Sequence, residues 1–308
     1  METRNHSTVT EFILLGLSTD PTIQVVLFTL FLAIYTATLA SNGLLILVVT
    51  FDHRLHNSMY FFLANLSLLD IGYTSITIPK MIVNFLAEKK TISFTGCFVQ
   101  AYFFIFFGIS ECILLTFMAY DRYVAICNPL RYNMVMNRTA CGQMIRVAWV
   151  TGCFTSSVDI VFIVQLSFCS SNVVNHFFCE APTLVQLSCS DLSLTNVVKL
   201  VGSSTMILVP LLLIVLSYVR IITTIMKFDS GKYQAFSTCF SHLIVVVIFY
   251  GAAVFLYMTP EHGGAITVKV VSVMYTVVTP LLNPLIYSLR NRNVHRALGK
   301  LIKTAAII

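Results

Sequence analysis

Charge is what this sequence has least of. Nineteen Lys and Arg and thirteen Asp and Glu make up 10% of the 308 residues, against 57% hydrophobic residues. A soluble domain carries roughly a quarter charged residues, so the apolar surface here exceeds what one water-facing core could bury. Tryptophan occurs once. There is no low-complexity segment, no internal repeat and no linker to a second domain. A nucleotide-binding glycine loop, a zinc-protease helix and a nucleophile elbow are all missing, so no enzymatic chemistry is expected. The net charge of +6 is too small for a nucleic-acid footprint and reads better as a topology signal.

What is present is apolar length. With a mean hydropathy of +0.86 the chain reads as a polytopic membrane protein. Runs of helical length cover 23–50, 59–83, 98–126, 144–164, 197–226, 236–258 and 268–289. Each is long enough to cross a bilayer, and seven crossings put the two ends on opposite sides. The segments at one face hold thirteen of the nineteen Lys and Arg, among them Arg54, Arg131, Arg138, Lys227 and Arg292; the other face holds Arg4, Lys80, Lys89, Lys90, Lys199 and Lys269. By the positive-inside rule the first set is cytosolic and the N-terminus extracellular. Phe12–Leu17 is too short for a signal-peptide core and lacks a basic lead. Asn5-His6-Ser7 is then a glycosylation acceptor on the correct side, whereas Asn65-Leu66-Ser67 lies within a span. Residues 1–22 are read as an extracellular N-terminus, 23–289 as a seven-helix domain and 290–308 as a cytoplasmic tail. The fold class is an all-α membrane protein, a seven-transmembrane helix bundle ending in a short amphipathic helix. That tail, basic with Leu298, Leu301 and Ile302 interleaved, suits the anionic inner leaflet.

Inside the third run, Met118-Ala119-Tyr120-Asp121-Arg122-Tyr123-Val124-Ala125-Ile126-Cys127 places an acid–arginine pair at the membrane face. An arginine there can snorkel to water or pair with its neighbour, giving a charge contact that is held or released. Deeper in the bundle, Asp70 and Glu111 are acids among apolar residues, a functional signal by default. They read either as neutral or proton-sharing acids hydrogen-bonded to Asn42, Ser67 and Asn283, or as a sodium or proton site biasing a resting state. Of nine cysteines, Cys97, Cys169, Cys179 and Cys189 fall on the oxidising side, where three pairings are open.

The ten-residue motif, continued through Asn128-Pro129-Leu130-Arg131-Tyr132, resembles the third helix of rhodopsin-like G-protein-coupled receptors in the form carried by olfactory receptors of the tetrapod class II type. Further matches run from Glu11 to Asn291. They include Ser41-Asn42-Gly43, Leu63 to Asp70, Pro210 with Ser217-Tyr218, Lys232 to His242, and Pro280 to Asn291 with its Asn283-Pro284-x-x-Tyr287 core. Two departures stand out. Ser58 replaces a usual proline, where serine itself can cap the helix, and Gln234 replaces a usual lysine.

The resemblance implies disulfides Cys97–Cys179 and Cys169–Cys189, and a sodium ion near Asp70 as the one non-protein component. It also implies a cavity for a small volatile odorant in the outer half of the bundle. Matching positions and helical periodicity offer Phe104, Ile105, Gly108, Ile109, Gly202, Met206, Tyr250, Val254, Tyr257, Val273 and Thr276 as its walls. Phe104 stands where aminergic receptors carry an aspartate, which argues against a monoamine transmitter. Asp159 reads either as an acid that reaches the pocket and pairs with a cation or donor, or, the favoured reading, as a structural or loop-bonding acid. His176 and Cys179 have metal-ligand spacing, but a disulfide would remove the thiolate. The implied switch is Asp121, Arg122, Tyr123, Tyr218, Asn283, Pro284 and Tyr287, acting at the plasma membrane on a heterotrimeric stimulatory G protein to raise cyclic AMP. The rival readings are a non-olfactory receptor of the same fold for a metabolite or lipid, and a channel or transporter using Asp70 and Glu111.

Overall fold

A computed structural model of the chain describes residues 9–168, 172–190, 193–227, 232–258 and 264–289, with 294, 296, 297 and 299. Among them are seven helices long and apolar enough to cross a membrane. They are α1 (Pro21–Phe51), α2 (Ser58–Leu86), α3 (Phe94–Cys127), α4 (Arg138–Val164), α5 (Ser193–Ile225), α6 (Lys232–Met258) and α7. The last is continuous but composite: Ala265–Val273, a π-helical turn Met274–Val278, then Thr279–Leu289. The chain is a multi-pass membrane protein.

Short polar side chains set the helix starts. Asp20 accepts from Thr22 N (2.8 Å) and Ile23 N (3.1 Å), with Pro21 in the first turn. Asn57, Ser93 and Asn137 cap α2, α3 and α4 in the same way, accepting from Tyr60 N, Gly96 N and Ala140 N. The cap of α2 is therefore Asn57 and not Ser58, which is the first helical residue and keeps its hydroxyl for another partner.

At 34 residues, about 50 Å, α3 is the axis of the bundle. It packs against α2, α4 and α5, while α1 lies on α2 and α7. The approach to α4 needs Gly152, where a Cβ would stand 2.8 Å from the Phe106 carbonyl oxygen. Large apolar side chains on the outside, such as Val26, Leu47, Val150 and Leu212, are half or more exposed. In water that would be a liability; in lipid tails it costs nothing.

One end of the bundle is capped. Strand β1 (Glu11–Leu14) pairs antiparallel with β2 (Thr91–Ser93) and parallel with β3 (Val173–Val174), in the order β2-β1-β3. Phe12 and Leu14 are fully buried in a second apolar cluster with Ile92, Phe98 and Val174. A disulfide from Cys97 at the start of α3 to Cys179 pins this cap to the bundle across 82 residues. Gln100 reinforces it, accepting from Cys179 N and donating to Ile76 O, both at 2.8 Å. Cys189 is also disulfide-bonded; Cys169 lies outside the described residues, as does Asn5. Most of the tail expected to be amphipathic also lies outside them, but Val294 and Ala297 are buried against the bundle and Arg296 is exposed.

Candidate functional site

Three polar or hollow features are threaded along α3. Phe104, Glu111 and Arg122 sit at intervals of about 10 Å and about 17 Å down its axis.

Nearest the cap is a cavity of about 430 Å³. Phe104, Ile105, Gly108 and Ile109 of α3 form one wall, Gly202 and Met206 of α5 another, and Tyr257 of α6 closes a third. The short helix Ala181–Gln186 of the cap is its roof, through Ala181, Pro182, Val185 and Gln186. Gly108 matters sterically: a Cβ there would stand 2.9 Å from the Tyr275 hydroxyl, so only glycine lets that ring in.

Four expected wall residues do not line this cavity. Tyr250 is buried and donates to the Cys112 carbonyl at 3.0 Å, and with Val254 it borders a separate groove between α5 and α6. Val273 packs on the core, and Thr276 is fully buried, donating to Ser272 O at 2.8 Å. In α7 the cause is the π-turn. An extra residue per turn moves the register, so Tyr275 faces the cavity instead. Regular periodicity could not find it. Asp159 also lines the cavity, half-buried beside Thr155 one turn back on α4.

At mid-bundle, Asp70 is fully buried and both its oxygens accept from Asn283 Nδ2, at 3.1 and 3.2 Å. Glu111 is buried within electrostatic reach, and its Oε1 has no hydrogen-bond partner among the described residues. Asn42 does not bond to the acids. Its Nδ2 donates to Thr38 O and to Pro280 O, both at 3.0 Å. Pro284 explains this: lacking an N–H, it leaves the carbonyl four residues earlier without its helical donor, and Asn42 supplies one. The amide oxygens of Asn42 and Asn283 are buried without partners among the described residues.

At the end opposite the cap, Asp121 is buried and held by three donors. Ser58 Oγ donates to Oδ1 at 2.7 Å and Tyr132 OH to the same oxygen at 2.9 Å. Arg122 Nε reaches Oδ2 at 3.0 Å, and its terminal guanidinium nitrogen closes the ion pair. The Ser58 and Tyr132 hydroxyls also touch each other. Burial pushes the Tyr132 phenol up to about 12, so at neutral pH it is a donor. Tyr123 is half-buried against the core. Tyr218 does not bond the pair directly: its hydroxyl bonds His242 Nδ1 at 2.7 Å, with the two rings stacked. The Tyr287 hydroxyl is buried with no partner among the described residues. Of this end, sequence reasoning found the acid–arginine pair and missed Ser58 and Tyr132 as its supports and His242 as the partner of Tyr218.

In the cap, His176 is buried with neither ring nitrogen hydrogen-bonded among the described residues. Its Nε2 is 3.9 Å from Glu180 Oε1, too far for a hydrogen bond. Burial, helped by the nearby Lys269 ammonium, pushes the imidazole down to about 3, so the ring is neutral and the contact is no ion pair. Among the described residues no three His, Cys, Asp or Glu side chains are grouped to hold a metal ion.

The olfactory receptor family model matches residues 31–304. Human olfactory receptor 13C2 is 47% identical over 311 residues, covering 98% of either chain. Mouse olfactory receptor 1M1 is 48% identical, over 98% of this chain and 97% of its own. Human olfactory receptor 10A7 is 48% identical, over 97% and 95%. The match spans every helix and all three features along α3, and the chain belongs to the olfactory receptor family of G-protein-coupled receptors, which are not enzymes.

Proposed function

We propose that the chain sits in the plasma membrane with its cap outside, binds a small volatile odorant in the capped cavity and activates a stimulatory G protein to raise cyclic AMP. The observation that carries this reading is the arrangement along α3: a cavity at one end and a charge pair clamped shut at the other. Mostly apolar walls of this size suit a weakly polar ligand of low mass. Binding acts by population shift, because a ligand favours whichever arrangement it binds better. In the favoured one α6 swings out at the end opposite the cap. Arg122 leaves Asp121, and with Tyr218 and Tyr287 it lines a cleft for the G protein. Thirteen of the chain's nineteen basic residues lie on that side, which supports its facing the cytosol and the anionic leaflet.

The mid-bundle acids bias the resting state. Two carboxyl groups in one water-poor site do not both stay charged unless a cation offsets them; otherwise one of them holds a proton. The residues fit a small hard cation such as sodium: Asp70, Glu111 and the amide oxygens of Asn42 and Asn283, which have no partner among the described residues, are all oxygen donors.

The test is cyclic AMP in cells displaying surface-labelled receptor, challenged with a broad volatile library beside Arg122→Ala. A dose-dependent rise that the variant lacks supports the reading. Silence across the library despite proven surface display moves the weight to a non-volatile ligand or a non-signalling role.

A further inference from the structure

We infer that α4 carries a binding site for an anionic phospholipid, whose phosphate is held by the Arg146 guanidinium on the outer face of the bundle. The site is separate from the capped cavity and does not depend on which odorant occupies it. Arg146 lies inside the apolar run 144–164. Its depth is fixed by α3, where Ser110 Oγ donates to the Ala148 carbonyl at 3.4 Å. With Gly152 set against Phe106, this shows that α3 and α4 run in opposite directions. Ser110 is about 18 Å along α3 from Arg122, so Arg146, two positions short of Ala148, stands about 15 Å nearer the cap than the Asp121–Arg122 pair. At that depth Arg146 is nonetheless exposed, beside Val147, Val150 and Phe154, which are 52%, 67% and 69% exposed. A guanidinium keeps its charge, and in contact with acyl chains it needs a counter-charge. Among the described residues no acid pairs with Arg146; the arginine ion pairs there tie Arg54 to Asp52 and Arg122 to Asp121.

A polar path leads to it from the start of α4. Thr139, Gly142, Gln143 and Arg146 have the i, i+3, i+4, i+7 spacing that places them on one face of the helix. Thr139 and Gln143 are exposed, and a Cβ on Gly142 would meet nothing within 4 Å, which leaves an open notch beside the arginine. Hydroxyl, amide and guanidinium can all donate, and a phosphodiester accepts through every free oxygen. Past Arg146 the face turns to Val150 and Phe154, where acyl chains can lie. Donors, cation and hydrocarbon thus follow one another along α4 in the order head group, phosphate and chains of a phospholipid entering from the end opposite the cap. A lipid whose phosphate is its only charge suits the site better than phosphatidylcholine, whose own trimethylammonium already offsets the phosphate.

The chain's one tryptophan, Trp149, is one turn beyond Arg146, half-buried with its ring 5.5 Å from Phe106, so its fluorescence reports on this site. The test places full-length receptor, one copy per disc, in phosphatidylcholine nanodiscs. Each set contains a small, equal fraction of phosphatidylglycerol or phosphatidylcholine brominated near the head-group end of the chains. Brominated phosphatidylglycerol should reach half-maximal quenching at about fivefold lower mole fraction than brominated phosphatidylcholine. Arg146→Gln should abolish the difference, Arg146→Lys should stay within about twofold of the unmodified receptor, and Gly142→Leu should weaken the preference with every charge in place. Equal quenching by the two lipids in the unmodified receptor overturns the assignment. So does a preference that survives Arg146→Gln or is lost in Arg146→Lys. Millimolar inorganic phosphate should leave the quenching unchanged; if it reverses the phosphatidylglycerol effect, the site takes free phosphate and the lipid assignment falls.

Discussion

Replacing Ser58 by alanine should raise the receptor's activity in the absence of any ligand. Ser58 supplies one of three donors to a buried carboxylate, at 2.7 Å. A hydrogen bond to a charged acceptor contributes about 1.5–3 kcal/mol net. Tyr132 shares the same oxygen and can partly close the gap, so the lower end of that range applies. Because the bond exists only while Asp121 is clamped, its loss acts on the resting arrangement alone, and about 1.4 kcal/mol multiplies the active-to-resting ratio about tenfold. The assay is basal cyclic AMP, normalised to surface display, for Ser58→Ala, Ser58→Thr and Ser58→Pro. Threonine keeps the hydroxyl and should stay near the unmodified receptor. Proline suits a first helical position and leaves the Asn57 cap in place, so Ser58→Pro should behave like alanine and not like a broken helix. Tyr132→Phe should act in the same direction, and the double substitution should deviate from additivity, because the two hydroxyls share one acceptor. Basal activity within about twofold of the unmodified receptor for Ser58→Ala, or threonine behaving like alanine, would refute the reasoning.

Other outcomes are expected along α3 and in the cap. Gly108→Ala should push the Tyr275 ring aside and weaken odorant potency several-fold without changing basal cyclic AMP, read from dose–response curves. Asp70→Asn should abolish any lowering of basal activity by sodium, measured by exchanging sodium for a large organic cation at constant ionic strength; an unchanged sodium response would remove the cation from the mid-bundle site. His176, held down at about 3 against about 6.5 when unfolded, binds its proton more readily in the unfolded chain. Its contribution to stability is therefore complete above about pH 6.5 and lost progressively as pH falls towards 3. Melting temperature in nanodiscs should fall with acid over that window, and less steeply for His176→Gln.

The spans were legible because a bilayer demands apolar length and little else. Their starts were less so: α4 begins at Arg138, six positions before the apolar run, since Asn137 caps a polar first turn that hydropathy ignores. Periodicity counted from Arg122 placed Phe104, Ile105, Gly108 and Ile109 on the cavity wall because α3 is regular throughout. The same counting failed in α7, where the π-turn brings Tyr275 in and leaves Thr276 buried. Ser58 looked like a mild change to a helix start. Its consequence depends on Asp121, 63 positions away, and no local pattern carries that.

The amide of Asn42 on the Pro280 carbonyl makes α7 two mechanical parts. At that bond the helix is fastened sideways to α1. Beyond it run the four residues to Pro284 and the turn that carries Tyr287, whose hydroxyl has no tie among the described residues. Asn42 is thus a fulcrum: the signalling end of α7 bends about a point fixed by the first helix, which among the described residues lends no side chain to the cavity lining or to the bonds on Asp121.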